Sequence, residues 1–590
     1  MIQETGGSVP PNTDHAVSVS LPTWKDNVAY EEGELWLVNK MVCGYPRFFV
    51  HPIIQELAKE VISRYGNPEV DTATLFPSPN TARMCLAFLL SKIPSEDFHK
   101  VRVLDFVPTQ QLETELPTVT SVLSGVIYPK EHASVAKQVW QHSGDGISSR
   151  RGEFCLSALR DGLVVEKKSA AADATSQKFC KGPRRYQGRG STNGIGKGTS
   201  TTQPQDGRES VQFIEERFGR NLSTSLASQA KIAVRRRIAG VLTEDVELSE
   251  ALEKTSEQGR IAGLDESDVS LFPTGMSSIF NSHRILLKAR GDLKSICFGF
   301  PYIDTLKILE KWGPGCLFYG RGSSEDLDDL ESRLVDGERF LALFTEFPGN
   351  PLLKAPDLKR IRSLADKYDF AVVVDETVGN FLNINVLSHA DIVVSSLTKI
   401  FSGDSNVMGG SAVLNPHGLY YQLLKDTFTR EYEDNVWVED AVFLERNSRN
   451  FISRIGQINH TTEEITAMLK ESPLVKNVYY PKYSPSLPLY EAFRTPNGGY
   501  GGLFSVTFHS TAEAVAFFDN LDVLKGPSLG TNFTLGCPYT LLAHYGELEW
   551  ANSFGVEFNL VRISVGLEDS PVLRGLVQQA LDAVAKAHKA

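Results

Sequence analysis

Three short apolar runs, each long enough for one strand and each followed directly by polar residues, constrain the fold of this chain most strongly. They lie at residues 340–344 (FLALF), 371–374 (AVVV) and 392–394 (IVV). Uninterrupted apolar runs of this length are typical of parallel strands that are covered on both faces. Between the first two runs, apolar residues recur at helical spacing, namely Leu358, Ile361, Leu364, Ala365 and Tyr368. Strand, helix and strand in this order predict a βαβ crossover in an α/β sheet.

The residues that follow these runs could form a site. Asp375 follows the second run, and Lys399 ends the polar segment that follows the third. Because the carboxyl ends of parallel strands are where ligands bind, the two side chains are expected to share one crevice. Taken singly, Asp375 also suits a helix N-cap or a surface turn, and Lys399 a solvated lysine. Taken together, they suit pyridoxal 5′-phosphate, which needs a lysine amine for its Schiff base and a carboxylate for its ring nitrogen.

A phosphate-binding segment should precede these strands. Residues 273–278 (PTGMSS) open a helical stretch, and their glycine would let the backbone approach an anion at the helix N-terminus. An ordinary helix start that happens to contain glycine is the alternative. Ser396 and Thr398 add hydroxyl groups just before Lys399.

Composition limits the classes of partner. The net charge of −12 gives no global electrostatic reason to bind nucleic acid or an anionic membrane. The 7 cysteines form no CxxC pair and no tight cluster with histidine, so neither a disulfide framework nor a zinc site is expected. No apolar run reaches 18 residues, and the first residues lack the pattern of a secretory signal. A cytoplasmic protein with small-molecule partners and no metal is therefore expected.

A segment rich in Gly, Ser, Thr and Gln divides the chain. It covers residues 170–210 and has the composition of a flexible linker. The domains are predicted as an N-terminal module at 1–165, a linker at 166–210, a large cofactor-binding domain at 211–440 and a small domain at 441–590. Within the module, residues 51–65 have helical periodicity, but no catalytic constellation is evident.

Five segments, in order, carry a resemblance to a known family. They are residues 274–279 (TGMSSI), 345–351 (TEFPGNP), 372–416 around the Asp and Lys, 475–481 (VKNVYYP) and 560–569 (LVRISVGLED). Together they resemble the pyridoxal 5′-phosphate enzymes of Cys/Met metabolism. The overall length, with HAVSVSLPTW and GYPRFFVHP near the start, is similar to the fungal cystathionine γ-synthases. The resemblance implies the α/β fold of the fold-type I transferases, with a mostly parallel large domain, a smaller C-terminal α+β domain and an extra N-terminal module.

The resemblance also implies roles for individual residues. Lys399 would bind the cofactor covalently, Asp375 its ring nitrogen and Asn350 its phenolic oxygen. Tyr302 would stack on the ring, and Arg562 would hold the substrate carboxylate. The remaining predicted contacts are Gly275, Met276, Ser396 and Thr398 with the phosphate, Thr377 with Asp375, and Thr534 with the substrate.

Three positions depart from the family pattern. The family has a Tyr-x-Arg pair, which reaches a neighbouring subunit's phosphate and should lie near residues 220–224 (RNLST). Here only Arg217 or Arg220 could substitute, and the tyrosine is missing there. Phe533 stands where the family has a substrate-facing glutamate, and Glu376 where it has asparagine. The resemblance implies a homo-oligomer, either a dimer or a tetramer. The altered Tyr-x-Arg region weakens this expectation, because that pair would contact the neighbouring subunit.

The expected reaction is γ-replacement, in which L-cysteine displaces the acyl group of O-acetyl-L-homoserine to give L-cystathionine. One alternative keeps the cofactor but changes the reaction to an elimination or to the addition of another nucleophile, which the change at Phe533 leaves open. A second alternative is a non-catalytic regulatory homologue. Retention of Lys399, Asp375 and Arg562 together argues against it.

Overall fold

A computed structural model describes residues 3–45, 48–115, 122–167, 224–254 and 259–588. Within these ranges the strands form three sheets, one in each of three consecutive regions of the chain. Most of the predicted linker lies outside the described residues, as do Arg217 and Arg220. None of the helices in the described ranges is long and apolar enough to cross a membrane.

The first sheet has four antiparallel strands in the order β1-β3-β2-β4. Its strands are β1 (Asp71–Phe76), β2 (Arg102–Pro108), β3 (Leu123–Pro129) and β4 (Val164–Glu166). The helices of this region are α1 (Trp24–Glu31), α2 (Leu35–Val38), α3 (Pro52–Tyr65), α4 (Pro79–Lys92), α5 (Gln110–Glu115), α6 (Ala133–Ser143) and α7 (Ser149–Arg160). Helix α3 confirms the periodicity at residues 51–65, because it buries Leu57, Val61 and Ile62.

The residues before α3 contact a distant part of the chain. The backbone N–H of Leu21 donates to the carbonyl of Lys525 (3.1 Å), and that of Trp24 to the carboxylate of Asp519 (2.7 Å). The Trp24 ring packs edge-on against Phe518. The start of the N-terminal module thus lies against the small C-terminal domain.

The central sheet has seven strands in the order β5-β11-β10-β9-β8-β6-β7. They are β5 (Val269–Phe272), β6 (Ser295–Phe298), β7 (Cys316–Tyr319), β8 (Ala342–Glu346), β9 (Ala371–Asp375), β10 (Ile392–Ser396) and β11 (Gly410–Leu414). All neighbours are parallel except β11, which is antiparallel to both β10 and β5. The three apolar runs form the neighbouring strands β8, β9 and β10, which confirms the predicted α/β sheet.

Helices cover this sheet on both faces. They are α8 (Thr224–Ala239), α9 (Leu248–Glu253), α10 (Gly275–Arg290), α11 (Ile303–Lys311), α12 (Ser324–Val335), α13 (Leu358–Tyr368), α14 (Tyr421–Glu431) and α15 (Val438–Ser448). The predicted crossover helix is α13, which starts at the N-cap Asp357 and buries Leu358, Ile361, Leu364 and Ala365. Separate apolar clusters lie on the two sides of the sheet, because alternate residues of each strand point to opposite faces.

The third sheet belongs to the small domain and has the order β12-β13-β16-β15-β14. Its strands are β12 (Val475–Tyr479), β13 (Leu503–Phe508), β14 (Leu524–Lys525), β15 (Leu535–Cys537) and β16 (Val561–Ser564). Its helices are α16 (Phe451–Glu471), α17 (Leu487–Glu491), α18 (Thr511–Asn520), α19 (Tyr539–His544), α20 (Leu548–Ser553) and α21 (Ser570–Ala587). The sheet is mostly antiparallel and packs against α16, α18 and α21, as expected for an α+β domain.

Candidate active site

A cavity of about 200 Å³ lies at the carboxyl ends of the central strands. Residues from all three regions of the chain line it, including Lys399 after β10 and Asp375 at the end of β9. The lining includes every predicted site residue except Thr534. The prediction that a lysine and an aspartate share one crevice is therefore confirmed.

Lys399 is buried, and its amine has two hydroxyl partners. Its Nζ donates to the hydroxyl of Tyr45 (3.0 Å) and to Oγ of Ser528 (3.1 Å). The amine also lies 4.5 Å from the centroid of the Tyr45 ring. These contacts fix the position of the amine at the wall of the cavity.

Asp375 is held by the strand end beside it. The backbone N–H of Thr377 donates to its carboxylate (2.8 Å), and the Thr377 hydroxyl accepts from the N–H of Ser396 (2.8 Å). Thr377 thus supports Asp375, as predicted, and joins β9 to β10. Burial raises the pKa of Asp375 to about 6, although the hydrogen bonds from Thr377 act in the opposite direction.

Glu346 is a second half-buried carboxylate at the cavity. Its two oxygens accept the backbone N–H groups of Tyr302 and Asn350, the latter at 3.0 Å. These bonds favour the ionised carboxylate, but burial and the neighbouring charge of Asp375 outweigh them and raise the pKa of Glu346 to about 8. Glu346 therefore links the two loops that carry the predicted ring contacts.

The predicted phosphate segment begins α10. Thr274 is its N-cap, because the hydroxyl accepts the N–H of Ser277 (3.0 Å). Gly275 and Met276 are the first residues of the helix and line the cavity, and backbone N–H groups at this position have no acceptor within a helix. A Cβ on Gly275 would lie 2.6 Å from Cβ of Ser396, so only glycine allows this approach.

Arg562 lies on β16 at the other side of the cavity. Its guanidinium donates to Oδ1 of Asn350 (3.2 Å) and to the carbonyl of Ser528 (2.8 Å), and it stacks 4.7 Å from the Tyr539 ring centroid. Ser528 therefore contacts both Arg562 and Lys399. A planar guanidinium held in this way suits a carboxylate ligand.

The predicted substrate contact Thr534 does not line the cavity, and neither does Phe533. The Thr534 hydroxyl donates to Glu568 (2.7 Å), and the Thr534 backbone N–H donates to the same carboxylate. Phe533 packs beside Val9 and Leu535. Strand β15 begins directly after these residues, and it is the earlier residues of the same loop, including Ser528, that turn toward the amine.

Glu376, the third departure, also points away from the cavity. It forms a bidentate ion pair with Arg260, with 2.7 Å between Nη1 and Oε1. Both side chains are buried, at 4% and 1% exposure. Arg260 explains why residue 376 is acidic, because the buried guanidinium requires a partner of opposite charge.

The patterns that predict the other site residues do not indicate Tyr45, Ser528 and Glu346. Tyr45 lies in the N-terminal module, which has no evident catalytic constellation, and far from residue 220, where the family pattern places a tyrosine. Residues 45–47 read Tyr-Pro-Arg, which has the spacing of the Tyr-x-Arg pair and was the available signal. Residues 46 and 47 lie outside the described ranges.

The residues present fit pyridoxal 5′-phosphate. Asp375 is half-buried at the cavity wall, yet it takes part in none of the salt bridges within the described ranges, so a protonated ring nitrogen would supply a cation for it. The start of α10 offers backbone N–H groups to a phosphate, and Lys399 offers an amine at the same cavity. The charges and hydrogen-bonding groups of these residues therefore complement those of the cofactor.

The family model described as "Cys/Met metabolism PLP-dependent enzyme" matches residues 249–582. The chain belongs to this family. A second model, "Fungal trans-sulfuration enzyme, N-terminal domain", matches residues 53–148. As a member of the Cys/Met metabolism family, the chain is a pyridoxal 5′-phosphate-dependent enzyme, as predicted from its sequence.

Several curated members of the family are similar over nearly their whole length. A Neurospora crassa protein named cystathionine gamma-synthase is 50% identical, covering 98% of each chain. A Saccharomyces cerevisiae protein of the same name is 39% identical over 99% of each chain. An Aspergillus violaceofuscus protein named alanine racemase ungC is 32% identical over 98% of this chain and 96% of its own.

Proposed function

We propose that the chain catalyses γ-replacement on O-acetyl-L-homoserine with L-cysteine, giving L-cystathionine and acetate. The observation that carries the proposal is that Ser528 contacts both the amine of Lys399 and the guanidinium of Arg562, at 3.1 and 2.8 Å. One amino-acid substrate can therefore meet a base and a carboxylate binder together. The similar proteins from Neurospora crassa and Saccharomyces cerevisiae, which carry the name cystathionine gamma-synthase, support the choice of substrates.

Each residue has a proposed task. Bound pyridoxal 5′-phosphate supplies a carbonyl for the substrate amine and a ring that accepts electrons from Cα. Asp375 holds the ring nitrogen, and Arg562 holds the substrate carboxylate with two parallel hydrogen bonds. Lys399 removes the proton from Cα and transfers protons at Cβ, while Tyr45 and Ser528 keep its amine oriented.

The bond changes at Cγ balance. The Cγ–O bond breaks and acetate leaves with the electron pair. The cysteine sulfur forms the Cγ–S bond after its thiol proton is released. One C–H bond at Cα and one at Cβ break, each leaving its electron pair on the substrate, and both bonds form again when Cβ and then Cα take up a proton. Lys399 is the base and acid suited to these positions, because it lies at the cavity wall where it can reach neighbouring carbons.

Product analysis tests the proposal. Purified enzyme with O-acetyl-L-homoserine and cysteine should form cystathionine, identified by mass, and Lys399→Ala should form none. Lys476→Ala is a matched control, because this lysine is exposed and pairs with Glu557 on the small domain. Consumption of the ester without cystathionine would reject the proposal.

A second candidate is another reaction of the same cofactor on an amino acid. The observation that favours it is the similar protein from Aspergillus violaceofuscus, whose name is alanine racemase and whose match covers almost the whole chain. The position of Phe533 does not favour it, because this side chain is not part of the cavity lining. Racemised or eliminated amino acids in the same product analysis would support this candidate.

A further inference from the structure

The N-terminal region repeats a motif of the catalytic domain. Residues 75–78 read LFPS at the end of β1, and residues 271–274 read LFPT at the end of β5. In both places the fourth residue is a hydroxyl N-cap that accepts the N–H three residues later. The distance is 3.3 Å from Thr81 to Ser78 and 3.0 Å from Ser277 to Thr274. Helix α4 follows the first motif and α10 the second.

The repeat extends to the sheets. Strands β1, β3 and β2 lie side by side and are antiparallel, as are β5, β11 and β10. The registers also agree. Phe76 pairs with Ser124, which pairs with Asp105, while Phe272 pairs with Gly410, which pairs with Ser396.

The helices around these strands correspond as well. Helix α3 packs against α7 and β1, as α8 packs against α15 and β5. Helix α4 packs against α6, as α10 packs against α14. Three strands and four helices therefore recur in the same arrangement, which one shared motif alone would not produce.

The two copies contact each other through corresponding elements. In the catalytic copy, the N-cap Thr274 donates to the carbonyl of Gly144 (3.0 Å), and Ser277 in the first turn of α10 donates to Asp145 (2.5 Å), which lies two residues after the end of α6. In the N-terminal copy, the N-cap Ser78 donates to Glu433 (2.7 Å), which lies two residues after the end of α14. Each helix start therefore meets the segment that follows the corresponding helix of the other copy, as in an interface with two-fold symmetry.

More contacts consolidate this interface. Phe88 on α4 stacks on Trp312 with 4.6 Å between ring centroids. Arg150 on α7 forms an ion pair with Asp440 on α15 (3.3 Å), and its guanidinium lies 3.8 Å from the Phe443 ring centroid. The Arg150 and Asp440 side chains are 5% and 8% exposed, so this face is closed to solvent.

The N-terminal copy lacks the groups that bind the cofactor. Relative to the LFP motifs, Pro79 stands where the catalytic copy has Gly275, and proline has no N–H to offer a phosphate. Asp105 on β2 and Ser396 on β10 hold corresponding positions in the two strand registers. Three residues later, the N-terminal copy has Pro108 and the catalytic copy has Lys399. A second site of the same chemistry is therefore excluded in this copy.

We propose that the N-terminal module is a degenerate copy of the cofactor-binding half of the catalytic domain and acts as a built-in partner. It takes the place, across the internal two-fold interface, that a second catalytic copy would occupy. It also brings the segment with Tyr45 to the cavity of the same chain. The catalytic unit is then one chain with one site.

Cross-linking tests whether the module pairs within its own chain. Asn80 is exposed and donates to Glu433, which is half-buried, so a full-length Asn80→Cys/Glu433→Cys variant places one thiol on each side of this contact. A short bismaleimide should join them within one chain, giving a product with the mass of a single chain, 65.1 kDa plus the linker. Each single-cysteine variant is a control for the natural thiols.

The result is read by denaturing electrophoresis and by mass spectrometry of the tryptic peptides. A product of twice the mass that carries the peptides of residues 80 and 433 would overturn the proposal, because the module would then pair with another chain. Absence of any link between the two positions would overturn it as well. Cross-linking needs no substrate, so its failure is distinguishable from failure of the proposed reaction.

Discussion

Replacing Gly275 by alanine tests how the start of α10 is positioned against β10. The added Cβ would lie 2.6 Å from Cβ and 2.9 Å from Oγ of Ser396. Carbon atoms in contact need about 3.5–4.0 Å, so the helix start and the strand end must separate by roughly 1 Å. A shift of about 1 Å at a ligand-positioning element can cost about 100-fold in function, and overpacking costs about 1–3 kcal/mol of stability.

We therefore expect Gly275→Ala to weaken pyridoxal 5′-phosphate binding by about 10- to 100-fold, which corresponds to about 1.4–2.7 kcal/mol. The assay is titration of the apoenzyme, followed by the visible absorption of the cofactor, together with urea unfolding of the apoenzyme. Gly575→Ala is the matched control, because this glycine lies inside α21 and a Cβ there would meet no atom within 4 Å. It should leave binding unchanged and stabilise the helix by up to about 1 kcal/mol. Unchanged affinity and stability in Gly275→Ala would refute the close-packing argument.

Three further predictions concern charged groups. Arg562→Lys keeps the charge but loses the bidentate fork, so KM for the amino-acid substrate should rise about 10- to 100-fold with a smaller change in kcat; steady-state kinetics would contradict this if only kcat changed. Glu376→Gln should cost about 3–5 kcal/mol in urea unfolding, because it leaves the buried Arg260 unpaired, and Arg260→Met in the same chain should restore part of the loss. Burial raises the pKa of Glu346 from 4.5 to about 8, so the folded apoenzyme keeps a proton that the unfolded chain releases, and this contribution to stability should decline as pH rises from about 5 to 8. Tm of the apoenzyme over this range should fall less steeply in Glu346→Gln, and equal slopes would contradict the assignment.

The Glu376–Arg260 pair illustrates why one departure from the family pattern could not be interpreted from sequence. The two residues are 116 positions apart, and nothing near either one indicates the other. Their pairing depends on the loop before β5 lying against the end of β9. A substitution that looks like a change in the site is in fact a buried structural ion pair.

The position of Thr534 could not be predicted from sequence for a related reason. Local order along a loop says which residues are near one another, but not which of them faces a cavity. Here the loop turns at Gly530, whose φ of +67° is a left-handed conformation that favours glycine, and its Cβ position would lie 3.0 Å from Cβ of Lys399. This close approach leaves Ser528 at the amine and Thr534 at Glu568.

The sequence by itself determined the α/β character of the central sheet, the lysine and aspartate at its edge and the helix that starts at Gly275. Each of these depends on short-range patterns, because apolar runs set the strands and the residues that end them must meet at one edge. Only the tertiary structure decided that Tyr45 and Ser528 hold Lys399, that Thr534 turns away, and that the N-terminal module packs reciprocally on the catalytic domain. The contacts of Lys399 with Ser528 and Tyr45, for example, join residues that are 129 and 354 positions apart in the chain. Such pairings are fixed by packing and charge complementarity between whole elements, which no local pattern encodes.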